Sequence, residues 1–130
     1  MRGASLAACL FASWPASIMA GEPPGAFDCN IAKMCVEADC VTAEQPVQFV
    51  RASPDDAASW RRIAGGSTIE LERSDFGTAH RFVLADAHSL MLASITVDGG
   101  GRLVERFDTA LPEGVFVKTH FGECAVGADL

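Results

Sequence analysis

The sequence predicts a mainly β protein: a small antiparallel β-barrel or sandwich of about seven strands with one short helix, preceded by a signal-peptide helix. Three observations favour this fold class. Short apolar segments alternate with polar residues at a period of two, turn-forming residues separate these segments, and four cysteines follow the first twenty residues. No regular alternation of strand and helix patterns is visible, so a parallel sheet is not expected.

The N-terminal twenty residues have the features of a cleaved export signal. Arg2 supplies the positive charge, residues 4–14 form the apolar run, and Ala20 is a small residue at the expected cleavage point. Pro15 interrupts the run well before the roughly twenty apolar residues that a membrane span requires. An ordinary N-terminal core helix is the alternative reading of this segment.

The expected organisation has three parts: a signal peptide at 1–20, a flexible leader at 21–26 and a single disulfide-bridged β domain at 27–130. We therefore expect a bacterial protein that is periplasmic or secreted. Cys9 ends a Leu-Ala-Ala-Cys sequence that resembles a lipid-attachment site. Only eight residues precede it, too few for a charged start plus a hydrophobic segment, so lipid anchoring at Cys9 is not expected.

The negative charge of the chain limits the kinds of molecule that it can bind. The formal net charge is −7, which repels phosphate backbones and anionic headgroups. We therefore expect no nucleic-acid partner and no membrane span. A basic protein or a small apolar ligand remains compatible with this charge.

Cysteine usage agrees with export. Cys29, Cys35, Cys40 and Cys124 form an even set in a short chain, and four cysteines permit three connectivities. Four residues separate Cys35 from Cys40, so a local bridge is easily formed, and it would leave Cys29 to join the first strand to the last through Cys124. A metal site built on the three clustered cysteines is the alternative, although their spacing is longer than that of most zinc-binding pairs.

The strand signals follow one another with short breaks. Residues 68–72 alternate strictly, with Ile69 and Leu71 on one face and two carboxylates on the other. Residues 98–101, Asp-Gly-Gly-Gly, predict a hairpin turn rather than a calcium or phosphate loop, because they offer a single carboxylate and lead into a strand. The remaining strand signals begin at Phe27 and occupy 47–51, 80–84, 90–97, 103–107 and 115–121.

One segment predicts the short helix. Ser53 is suited to the position before a helix and Pro54 to its first turn, while Trp60 and Ala64 follow at helical spacing. We therefore expect a helix within 54–63. A turn followed by a strand from Trp60 to Ile63 is the alternative that the pattern leaves open.

Candidate sites are sparse. His80, His88 and His120 show no spacing typical of a metal site, and no nucleophile motif is present. We therefore assign no catalytic residue, no metal ligand and no cofactor. Trp60 and His80 are possible ligand-lining residues, because both are expected near the interior of the barrel.

A pair of basic residues, Arg61 and Arg62, is expected on the surface, where it would balance neighbouring acids.

The chain resembles a group of small exported bacterial envelope proteins of unassigned function. The resemblance lies in the spacing of Cys29, Cys35 and Cys40, in Ile-Thr-Val-Asp-Gly at 95–99 and in Phe-Gly-Glu-Cys at 121–124. It implies a disulfide-stapled β fold and no particular activity. The chain is also similar to the periplasmic C-type lysozyme inhibitors, small secreted disulfide-bridged barrels, but the tyrosine of their inhibitory motifs has no counterpart here because the sequence contains no tyrosine.

These observations favour an exported non-enzymatic binding or accessory protein of the bacterial envelope. The first alternative is a lysozyme-inhibitor-like protein that binds a basic partner. The second is a lipocalin-like carrier of a small apolar ligand, and the third is a small enzyme or metal-binding protein that uses its histidines.

Overall fold

The domain is a closed antiparallel barrel in which each strand pairs with its neighbours in sequence and the first strand pairs with the last. The computed structural model describes residues 26–125. The expected signal peptide, with its helix, lies outside these residues. The strands are β1 (Ala26–Val36), β2 (Asp39–Arg51), β3 (Ser59–Ala64), β4 (Ser67–Arg73), β5 (His80–Asp86), β6 (Met91–Val97), β7 (Arg102–Leu111) and β8 (Gly114–Cys124).

Because the strands run up and down in order, the barrel has two distinct ends. The β1–β2, β3–β4, β5–β6 and β7–β8 turns lie at one end, called here the hairpin end. The β2–β3, β4–β5 and β6–β7 connections lie at the other, together with the start of β1 and the end of β8. We call this second end the terminal end.

Every second side chain of a strand points inward, and these inward side chains fill the barrel. Inward positions of neighbouring strands face one another in register, as with Phe82 and Ile95 or Phe27 and Phe49. The largest side chains with under 2% exposure occupy the interior along its length. They are Trp60, Phe27, Phe49, Phe82, Ile31, Ile95, Leu103, Glu105 and Val97.

The structure places the four domain cysteines in two pairs at disulfide distance, and these are the pairs that the sequence favours. The sulfurs of Cys29 and Cys124 are 2.03 Å apart, and those of Cys35 and Cys40 are 1.99 Å apart. Each pair consists of residues that lie directly opposite each other on neighbouring strands. The pairing is consistent with an oxidising compartment.

The closure between β1 and β8 requires a glycine at one position. A Cβ on Gly122 would overlap the backbone carbonyl oxygen of Asn30 and lie 2.8 Å from the Cα of Ile31. The register of β1 shifts between Ile31 and Lys33, immediately beside this contact. The two strands therefore approach more closely at Gly122 than any side chain would allow.

The predicted helix within 54–63 is wrong, and its place is taken by a turn and β3. Trp60 and Arg62 are buried whereas Arg61 and Ile63 are exposed, which is the period of a strand. The polar residues before β3 do form helix-start contacts, since Ser53 Oγ accepts a hydrogen bond from the backbone N–H of Asp55 at 3.1 Å. These contacts close only a turn, and the expected total of about seven strands becomes eight.

Candidate functional site

A buried ion-pair cluster crosses the middle of the barrel. Arg62 on β3 donates to both carboxylate oxygens of Glu105 on β7, from Nε at 2.5 Å and from Nη2 at 2.8 Å. His120 on β8 lies opposite Glu105 in register, and its Nδ1 is 2.9 Å from Oε1 of that carboxylate. Arg62 and His120 also lie against the Phe107 ring, whose centroid is 5.2 Å from the guanidinium carbon and 5.4 Å from the imidazole centroid.

The cluster is electrostatically satisfied within itself. Burial disfavours the charged form of Glu105, but hydrogen bonds and charge from His120 and Arg62 outweigh burial and lower the pKa of that carboxyl below its ordinary value. Glu105 is completely buried, while Arg62 and His120 retain 6% and 8% exposure. The carboxylate is therefore enclosed in the interior, between the guanidinium of Arg62 and the imidazole of His120.

The expectation that Arg62 lies on the surface is wrong. Its neighbour Arg61 is exposed and pairs with Glu70 across β3 and β4 at 2.7 Å, as a surface arginine would. Arg62 has the opposite parity on β3 and therefore points into the barrel. The sequence does indicate that Glu105, the partner of Arg62, points inward, because Glu105 has the same parity as the apolar residues Leu103 and Phe107.

The two possible ligand-lining residues belong to one aromatic cluster at the terminal end. Trp60 is 1% exposed and its ring centroid lies 5.6 Å from that of Phe27, and His80 lies 5.0 Å from the same Phe27 ring. Trp60 Nε1 donates to the carbonyl oxygen of Ala57 at 2.8 Å. Both residues thus contact a packed interior through Phe27.

Arg73 closes this aromatic cluster. Its guanidinium carbon lies 4.9 Å from the Trp60 ring centroid, and its Nη2 is 2.7 Å from His80 Nδ1 and 2.9 Å from Asp75 Oδ2. Burial opposes ionisation of Asp75, but the hydrogen bond and charge of Arg73 outweigh it and lower the pKa of the carboxyl. An arginine from the chain itself therefore occupies the face of Trp60 on which a cationic ligand would stack.

The three histidines lie in three different environments. His80 is at the terminal end, His120 is in the interior, and His88 is in the β5–β6 turn. The backbone N–H of His88 donates to Asp86 Oδ1 at 2.9 Å. Within residues 26–125, no three His, Cys, Asp or Glu residues are grouped so that they could hold a metal ion.

Exposed apolar side chains gather at the hairpin end. We define the hairpin-end patch by six of the large apolar residues in or beside three of its turns, each of them at least 38% exposed. Two backbone hydrogen bonds show that these turns are neighbours: Ala110 N–H donates to the carbonyl of Leu90 at 2.9 Å, and Glu37 N–H donates to that of Val117 at 3.0 Å. The patch consists of Val36, Val41, Leu90, Leu111, Val115 and Phe116.

Exposed carboxylates lie on two of the three turns that carry this patch. Glu37, Asp39 and Glu44 lie on the β1–β2 hairpin and Glu113 in the β7–β8 turn, and all four are exposed. None of these four carboxylates forms an ion pair with another residue in the range 26–125. Sequence reasoning missed this surface, because only the topology brings the three turns together.

Two open grooves mark the outer wall. One lies over β1, β8, β7 and β6, where Lys33 Nζ is 5.0 Å from the centroid of the Phe121 ring. The other begins between β4 and β5 and continues towards β7. Across the part of the chain that the structure describes, there is no helix long and apolar enough to cross a membrane.

Comparisons with known proteins identify no relative. No protein-family model matches the chain, no curated protein matches it, and no solved structure matches it. The geometry of the barrel is therefore the basis for a functional assignment.

Proposed function

We propose that this chain is an exported, non-enzymatic binding protein that docks onto a strongly basic protein through its hairpin end. The observation that carries the proposal is the coincidence of the hairpin-end patch with exposed carboxylates that lack ion-pair partners among the described residues. Export is supported by the cysteine pairs at disulfide distance and by the expected signal peptide.

The apolar part of this surface supplies the contact area. Val41 is 63% exposed and Val115 is 61% exposed, and both lie close to the hairpin turns, near the starts of β2 and β8. Contiguous exposed apolar side chains with a polar rim are typical of protein-binding surfaces, because water is removed from them on association.

The acidic rim determines the chemistry of the partner. Glu37, Asp39, Glu44 and Glu113 are negatively charged at neutral pH, and the protein as a whole has a net charge of −7. Lys118 is the basic residue of β8 on this side of the barrel. Charge complementarity therefore favours a basic partner, steers its approach and opposes acidic ones.

The interior supports a surface-binding role over the lipocalin-like carrier. A carrier needs an enclosed space for its ligand, whereas large side chains from β1 to β7 fill this barrel. Arg62 and Glu105 take up each other's hydrogen-bonding capacity in the middle of the barrel. Recognition is therefore expected on the outside of the barrel.

Separation of the histidines supports the non-enzymatic part of the proposal. Acid–base or metal chemistry requires its groups to lie within hydrogen-bond reach of one reacting centre. His80, His88 and His120 instead lie at the terminal end, in the hairpin-end turn and in the interior, respectively.

A C-type lysozyme is the partner that we propose to test first. Resemblance to the periplasmic lysozyme inhibitors motivates this choice, and the acidic rim suits so basic a protein. Cytochrome c serves as a second basic probe with a different surface. Affinity and association rate for each would be measured with purified domain at several salt concentrations.

Two pairs of variants separate the rim from the patch. We expect Glu37→Gln with Glu113→Gln to slow association several-fold at low salt, whereas Glu123→Gln, on the outer wall towards the terminal end, leaves it unchanged. Val115→Ser should speed dissociation about tenfold, and Val104→Ser, a 40% exposed valine on the outer wall, should not.

Three results would overturn the proposal. The first is a lack of binding to both basic probes at low salt. The second is binding that survives the Val115→Ser change, which would mean that charge alone attracts the probe. The third is turnover of a substrate that is abolished by substitution of His80, His88 or His120.

A further inference from the structure

The barrel wall has a seam between β4 and β5. Each of these strands has seven residues, yet only Glu72 with Val83 and Arg73 with Phe82 are paired across them. By contrast, β4 forms six pairs with β3, and β5 forms seven with β6. Residues 67–71 of β4 and 84–86 of β5 are thus unpaired along the edges that face each other.

A groove opens at this seam. Its lip on the β4 side is formed by Glu70, Leu71 and Glu72, and its lip on the β5 side by Val83, Leu84 and Ala85. Beyond β5 the groove continues to the outer residues of β6 and β7, including Arg106, which is bound to Asp108 at 3.0 Å. The seam is therefore an accessible crevice and not a closed fissure in the wall.

The lips of the groove carry backbone hydrogen-bonding groups. A strand edge presents N–H and C=O groups in a row, and an extended peptide is the partner that can pair with them repeatedly. The free edge of β4 is five residues long, which is the length of a common strand, whereas the free edge of β5 has three. Backbone pairing is therefore expected along β4.

From this geometry we infer that the seam accepts an extended segment of a partner polypeptide, which pairs with the free edge of β4. Such a strand presents alternate side chains to opposite faces. Those that turn inward meet Leu71 and Leu84, and those that turn outward lie beside Glu70 and Glu72.

The two faces define the sequence class of the segment. Leu71 is buried and Leu84 is half-buried, so the inward side chains should be apolar. Glu72 forms no ion pair with another residue in 26–125, and Glu70, although paired with Arg61, is 63% exposed. The outward residues of the bound segment that lie next to β4 should therefore be lysine or arginine. On the β5 side of the groove, the positive charge of Arg81 disfavours a basic residue of the segment.

This inference stands apart from the proposed function. None of the six residues of the hairpin-end patch lines the seam. A second copy of this chain, which would supply its own strand edge, is the occupant that the experiment must distinguish from a partner segment.

The test uses a nine-residue peptide of alternating valine and lysine, blocked at both ends, with the complete domain. Its control has the same side chains but is N-methylated at every second amide, so that one edge cannot donate hydrogen bonds. Binding would be followed by NMR chemical shifts and by amide hydrogen exchange.

We expect alternate amides within residues 68–71 to become at least tenfold more protected on binding, because the others already pair with β3. The N-methylated peptide should bind at least tenfold more weakly. Glu72→Gln should weaken binding two- to fivefold, and Glu123→Gln on the opposite wall should have no effect.

The inference is overturned if protection appears outside β4 and β5, or if the N-methylated peptide binds equally well. Protection of the β4 edge that rises with protein concentration in the absence of peptide, with a dimer seen by sedimentation, would also overturn it in favour of a second copy. Loss of lysozyme binding in the separate experiment would leave these outcomes unaffected.

Discussion

Arg62 and Glu105 form an ion pair across the interior of the barrel, from strands that are not neighbours in the sheet. β3 carries the arginine and β7 the carboxylate, 43 residues further along the chain. Because both charges are buried, each depends on the other for the interactions that water would otherwise supply. Their pairing fixes opposite walls of the barrel relative to each other.

Removal of the Glu105 charge should therefore be costly at neutral pH. Glu105→Gln leaves the Arg62 guanidinium buried without a counter-charge, and breaking a buried pair in this way costs about 3–5 kcal/mol of the free energy of unfolding. Urea unfolding at pH 7 would measure the loss. Glu70→Gln removes the carboxylate of the exposed Arg61 pair and should cost under about 1 kcal/mol. Equal effects of the two changes would contradict the assignment.

The same carboxyl should make stability depend on acid pH. The pKa of Glu105 is lowered in the folded protein, so its contribution is complete above the unfolded-state pKa of about 4.3. The contribution is lost as the pH falls through that value towards the folded pKa. We expect the free energy of unfolding to fall below about pH 5, and to fall less steeply in Glu105→Gln. Identical slopes in the two proteins would show that other groups dominate.

The two cysteine pairs should differ in what they contribute. Cys29 and Cys124 enclose 95 positions of the chain, and the loop-entropy relation gives about 4–5 kcal/mol for a bridge of that span. Cys35 and Cys40 are separated by five positions, and the same relation gives about 2 kcal/mol. Thermal and urea unfolding of the two double-alanine variants would show which pair contributes more to the free energy of unfolding. A larger loss for the Cys35–Cys40 variant would contradict the loop-entropy account and would mean that native contacts at the β1–β2 hairpin matter more.

Gly122 should tolerate no side chain. Alanine there places its Cβ against the backbone of Asn30 and Ile31, so β1 and β8 must separate where the barrel closes. We expect Gly122→Ala to lower the free energy of unfolding by more than about 2 kcal/mol, through strain and lost strand pairing. Gly99→Ala is the matched control, because its Cβ would come no closer than 3.6 Å to the Thr78 side chain. Comparable stability of the two variants would contradict this account.

Much of the barrel is predictable from local patterns. Residues 68–72 alternate strictly, residues 80–84 end in three apolar side chains and residues 90–97 are mostly apolar, and each range lies within or overlaps a strand of the structure. The segment at 54–63 misleads because Trp60 and Ala64 are four positions apart, a separation that returns to the same side in both a helix and a strand. Only packing inside the barrel decides between the two.

The functional features are less accessible to sequence reasoning. Glu105 and His120 have interior parity, so a polar contact inside the sheet could be suspected, but their partner Arg62 lies on a strand mistaken for a helix. The hairpin-end patch depends on which turns share an end of the barrel. The seam depends on the register between β4 and β5, which the hydrophobic pattern of either strand leaves open.

Pairing of Cys29 with Cys124 gives the chain the connectivity of a ring. All seven connections between strands lie inside the loop that this bridge closes. A protease that cuts one exposed turn therefore produces two polypeptides that remain one covalent molecule, with new ends at the cut. The two fragments of such a nicked barrel cannot diffuse apart, because the bridge joins them covalently and the remaining strand pairs hold them in place.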